Sequence, residues 1–142
     1  RESGQTVKAV IAEMRKVEAS LAEASGDEFA AMRKSLSAGV TALEEAVAYI
    51  VATYGQDIKA ASVGSVPFLK LLGIVAGGWQ MGRAALVSAQ RLAEGSGDAG
   101  FYQAKITTAR FYADHVLSQA PGLAYSVVNG AAAALALPEE MF

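Results

Sequence analysis

A single histidine, His115, directly follows Asp114 in the chain. In hydrolytic triads a carboxylate orients the imidazole that activates a nucleophile. Adjacent helical residues point about 100° apart, so neither of these side chains can orient the other. A packing role is expected for His115. Glu44-Glu45 and Glu139-Glu140 are neighbouring carboxylates. Acid–base work by a pair needs the two groups opposed across a pocket, and both pairs read as solvated. Gly95-Ser96-Gly97-Asp98-Ala99-Gly100 matches a G-x-G-x-x-G spacing. A dinucleotide diphosphate uses that spacing between a strand and the helix it opens. Here a helical pattern precedes it and nothing reads as a parallel strand, so a flexible interhelical loop is expected. The most suggestive cluster is Trp79, Gln80 and Arg83. An arginine one turn from a tryptophan can form an interface anchor.

Composition narrows the chemistry further. The 142 residues contain no cysteine, so disulfides, zinc-thiolate sites and thiol nucleophiles are ruled out within the chain. One histidine cannot supply the two Glu-x-x-His units of a di-metal bundle. A formal charge of −2 gives no footprint for nucleic acid. Of the residues, 30 are alanine and 14 glycine, which favours helices over strands. Charge is uneven: 16 charged side chains fall in residues 1–59 and 10 in residues 60–142. The first part reads as helices with a wet face, the second as helices covered on more than one side.

The elements that would carry these residues follow from hydrophobic spacing. A first helix is expected near 5–24, with Val7, Val10, Ile11, Met14, Val17 and Leu21 recurring at threes and fours. Ser25 with Glu28 forms a capping-box pattern, and Asp27 is the alternative N-cap. A second helix runs to about Tyr54 on the stripe Phe29, Met32, Leu36, Val40, Leu43, Val47, Ile50 and Tyr54. Residues 55–66 form the longest connection. A third helix covers about 67–93, with Leu69, Leu72, Ala76, Trp79, Arg83, Leu86 and Gln90 on one stripe. Gly73/Gly77 and Gly78/Gly82 interrupt it as flat strips for close helix approach. A fourth spans about 98–119, where Arg110 and Asp114 can pair across a turn. A fifth follows Pro121 and ends at Pro138. The expected fold is all-α, an up-and-down bundle of four to five helices filling residues 1–142.

Two further expectations concern surroundings. Between Asp114 and Glu139 lie 24 residues without formal charge, longer than the minimum for a membrane helix. Ser118, Gln119, Pro121, Ser126 and Asn129 within that stretch favour a broken, buried helix pair, so no membrane span is expected. No leader pattern opens the chain, and the cytoplasm is the expected location.

Three stretches carry a resemblance: Gly73 to Ala85 with "VAGGW", Phe101 to Leu117 with "ARFYA", and the closing Ala136 to Phe142 with "LPEE". Together they resemble the extra C-terminal helical domain of a long subfamily of FAD-dependent acyl-CoA dehydrogenases, which includes 3-methylmercaptopropionyl-CoA dehydrogenases. Ser118 and Pro121 depart from that family's usual pattern, which often has Pro at 118 and none at 121. The resemblance implies a parent enzyme that oxidises an acyl-CoA to the 2,3-enoyl-CoA. It implies that the FAD, the glutamate base and most of the acyl-CoA site lie in preceding domains. No catalytic, cofactor-binding or metal-binding residue transfers to this segment. Its partners would be the catalytic domains of the same polypeptide, in an enzyme expected to be a homo-oligomer. Trp79, Arg83, Arg110 and His115 are the candidate contacts. The alternative is a stand-alone helical adaptor without catalytic activity.

Overall fold

A computed structural model describes residues 2–95, 97–138 and 141. Ser96 of the glycine-rich loop, Glu139-Glu140 with the end of the "LPEE" stretch, and Phe142 lie outside the described residues. Helix α1 (Glu2–Glu23) leads into α2 (Asp27–Tyr54), the short α3 (Ile58–Val63), α4 (Ser65–Glu94) and α5 (Ala99–His115). A 3-10 turn (Leu117–Gln119) joins α5 to α6 (Ala120–Asn129), and α7 (Ala131–Ala134) follows. No strand occurs among the described residues, and the four long helices make the expected all-α bundle. The 55–66 connection is largely helical rather than open, because the Asp57 carboxylate caps α3 by accepting from the Ala60 N–H at 3.0 Å.

Helices α2 and α4 form a central pair. α1 packs on both from one side, and α5 and α6 pack on both from the other. α1 and α2 run antiparallel: Arg15 reaches Thr41 and Glu44, while Lys8 and Ile11 line the same groove as Val51 and Val47. On α2 the predicted stripe is buried from Phe29 through Leu43, widened by Gly39, Ala42 and Ala46, and fades to an exposed Tyr54. α2 is long and apolar enough to cross a membrane by length and composition, yet its stripe supplies the centre of this core. The uncharged stretch after Asp114 is instead divided among the 3-10 turn, α6 and α7.

Three local expectations are corrected. The N-cap of α2 is Gly26, with φ of 109° and no side-chain cap hydrogen bond, so neither Ser25 nor Asp27 performs that role. Asp27 and Glu28 still place negative charge in its first turn, where the helix dipole favours it. On α4 the face turned to the core is Leu71, Ile74, Val75, Gly78, Gly82, Ala85 and Ser88, not the stripe through Leu69 and Arg83, both exposed. The glycines also accept side chains rather than another backbone. Gly78 lies under Leu117, Gly82 under Val17 and Leu21, and Gly77 under Tyr112, while Gly73 faces open space.

The loop before α5 is punctuated by Gly95 (φ 69°) and Gly97 (φ 75°), both in the left-handed region that favours glycine. Asp98 then caps α5, its Oδ1 accepting from the Phe101 N–H at 3.3 Å. Asp98→Ala should cost about 1 kcal/mol, typical for a lost N-cap, read as a lower urea midpoint with unchanged slope.

Candidate domain interface

The candidate contacts fall into two separate pairs. On α4, the Arg83 guanidinium lies 5.9 Å from the Trp79 ring centroid and donates to Gln80 Oε1 at 3.3 Å. Trp79 is half-buried and Arg83 exposed, beside a recess of about 220 Å³ shared with Glu13, Lys16 and Ser20 of α1. On α5, Arg110 Nε pairs with Asp114 Oδ2 at 3.2 Å, as the four-residue spacing predicts. His115 packs, but on the surface: its ring stacks on exposed Phe111 with centroids 4.2 Å apart. No hydrogen bond, ion pair or ring contact joins Trp79 or Arg83 to Arg110 or His115 among the described residues. A ring stack and one exposed ion pair add little to folding, since such pairs contribute about 0–1 kcal/mol.

Two grooves escape a reading based on large residues. Between α1 and α2 runs a trough of about 690 Å³ with Ile11, Val47 and Val51 on its walls and Ala12, Ala48 and Ala52 along it. Alanine at these positions leaves space that a larger side chain would fill. Arg15 closes one end, pairing with Glu18 at 2.7 Å and Glu44 at 2.6 Å and donating to Thr41. Burial lowers the proton affinity of this guanidinium, but the bonds and charges of Glu18 and Glu44 outweigh it and hold its pKa above the ordinary value. Nothing in the local sequence of α1 separated Arg15 from its charged neighbours; its partner Glu44 lies 29 residues away. The second groove lies between α4 and α5, lined by Met81, Ala84, Phe101 and Thr108.

Tyr112 ties those two helices together. Its hydroxyl donates to the Ile74 carbonyl at 2.8 Å across the bare backbone of Gly77. Burial pushes its phenol pKa above the usual value of 10. A group with a raised folded-state pKa contributes stability that is complete below its unfolded pKa and lost as pH rises through the folded one. Wild type minus Tyr112→Phe should thus show an excess stability that is constant to about pH 9 and declines above about pH 10. Denaturation midpoints across that range measure it.

The chemistry of the glycine-rich loop does not fit a flavin diphosphate. The Asp98 carboxylate holds the first turn of α5, where a phosphate would need the same N–H groups, and two anions repel there. Among the described residues there is no group of three or more His, Cys, Asp or Glu side chains that could hold a metal ion.

Residues 7–138 match the family described as acetyl-CoA dehydrogenase C-terminal like, and the chain belongs to that family. A curated relative, 3-methylmercaptopropionyl-CoA dehydrogenase of Ruegeria pomeroyi, is 54% identical over 69 residues. That stretch is 49% of this chain and 12% of the relative's length.

Proposed function

We propose that the chain is the C-terminal helical domain of a longer FAD-dependent acyl-CoA dehydrogenase and acts as a docking module against the catalytic domains. The family match over residues 7–138 is the observation that carries this reading. The small share of the relative that aligns here, 12%, supports a parent enzyme much longer than this segment. In that parent the oxidation of an acyl-CoA to its 2,3-enoyl product belongs to other domains, which hold the flavin and the base. Trp79, Arg83, Arg110 and His115 are proposed as surface contacts of the module. None touches reacting atoms.

Exposed apolar side chains support the docking role. Phe101, Phe111, Val66, Leu69 and Tyr125 are each more than half exposed, apolar side chains that a covering partner would remove from water. The test is direct. Residues 1–142, purified alone, should show no flavin absorbance and no binding when titrated with FAD, whereas the parent should be yellow. Retention of FAD by the isolated chain would overturn this division of labour. A start codon directly upstream of Arg1 would favour a free-standing adaptor instead.

A further inference from the structure

The α4–α5 groove has a charge pattern that specifies what could cover it. Two adjoining hollows of about 400 and 390 Å³ share Ala84, Phe101 and Lys105. Met81 and Thr108 line the first, while Val87 and Arg83 extend the second. Phe101 is 54% exposed and Val87 50% exposed, so the apolar seat is open. Phe101 to Thr108 spans about 10 Å at 1.5 Å per residue, room for two turns of a bound helix.

Among the described residues, the cations beside this seat have no carboxylate partner. Lys105 Nζ lies over the Phe101 ring at 5.5 Å, and among the described residues Arg83 hydrogen-bonds to Gln80 and lies over Trp79. The carboxylates of α4, α5 and the loop between them are all engaged elsewhere. Glu94 sits by Arg91 and Gln90, Asp98 caps α5, and Asp114 pairs with Arg110. Glu13, across the α1 recess from Arg83, is paired with Lys16 at 2.9 Å. An apolar floor flanked by two unneutralised cations is complementary to an acidic amphipathic segment.

We infer that this groove receives an acidic, apolar-faced segment of the catalytic domains of the same enzyme. The apolar side of that segment seats on Phe101 and Val87, and its carboxylates pair with Lys105 and Arg83. This rests on the docking role proposed above and adds the position and chemistry of the contact.

Carbodiimide coupling of the intact parent enzyme tests it, because that reagent joins an amine to a carboxylate only at ion-pair distance. Peptide mass spectrometry should find Lys105 joined to an Asp or Glu outside residues 1–142, with Lys16–Glu13 as the internal control. Lys105→Arg keeps the charge but should abolish the cross-link. Reversing both Lys105 and Arg83 to Glu should raise the rate of proteolytic release of this domain about tenfold. Changing the cross-linked carboxylate to Lys should restore the original rate in that double variant. Lys105 left unreacted, or joined only to carboxylates within residues 1–142, would overturn the inference while the docking role stands. A start codon directly upstream of Arg1 would overturn both.

Discussion

Leu117→Ala is expected to lower the unfolding free energy by about 3–5 kcal/mol, toward the upper end for a buried leucine. The side chain is 2% exposed, although it stands on a short 3-10 turn rather than within a long helix. Its socket is made by two glycines on different helices. A Cβ added at Gly39 would lie 2.9 Å from Leu117 Cδ1, and one at Gly78 would lie 2.6 Å from Cδ2. The walls of the socket are therefore backbone of α2 and α4, which cannot collapse into the space left by truncation. Urea denaturation should show a lower midpoint with an unchanged slope. Adding Gly78→Ala to the truncated variant should recover part of the loss, because the new methyl occupies the vacated volume. A cost under about 1.5 kcal/mol would mean that the wedge is not a principal contact between the central helices.

Gly77→Ala and Gly73→Ala should change stability in opposite directions. Both place the best helix former in a long helix, where replacing Gly gains roughly 0.5–1 kcal/mol. Gly73 faces open space, so that gain should be realised. At Gly77 the added methyl meets the Tyr112 hydroxyl, and Cζ at 2.9 Å. The rigid phenol must swing away, which breaks its bond to the Ile74 carbonyl and exposes part of the ring. The net expectation is a loss of about 1–3 kcal/mol, together with loss of the alkaline component assigned to Tyr112. Paired thermal melts decide the matter by sign. Stabilisation at both positions would mean that Tyr112 does not need the bare backbone of Gly77.

These two tests also mark where sequence reasoning succeeds and where it stops. The α2 stripe from Phe29 to Leu43 was legible because large apolar residues run along its buried face, with Gly39, Ala42 and Ala46 only widening it. α4 misled because its core face carries Gly78, Gly82, Ala85 and Ser88, while larger Leu69 and Trp79 lie toward the flank or solvent. Hydrophobic spacing weighs side-chain size, but here the small residues mark the close contact. The helix junction after His115 was legible only as a break near Pro121. The actual turn begins at Leu117, and Ser118 and Gln119 donate to the Asp114 and His115 carbonyls to close the end of α5. Trp79 with Arg83 and Arg110 with Asp114 could be paired from the sequence because each pair lies within one helical turn. The α1–α2 trough and the α4–α5 groove could not, since each depends on which residues of two helices face one another. Alanine first suggested helix propensity; at Ala12, Ala48 and Ala84 it also leaves grooves open.

The rest of a larger enzyme is proposed to cover this bundle's exposed apolar surface. Hydroxyl-radical footprinting of Phe101 and Phe111, compared between isolated residues 1–142 and the intact parent, tests it most directly. Phe101 should become strongly protected in the parent, with Phe111 following. Equal reactivity of both rings in the two samples would contradict it.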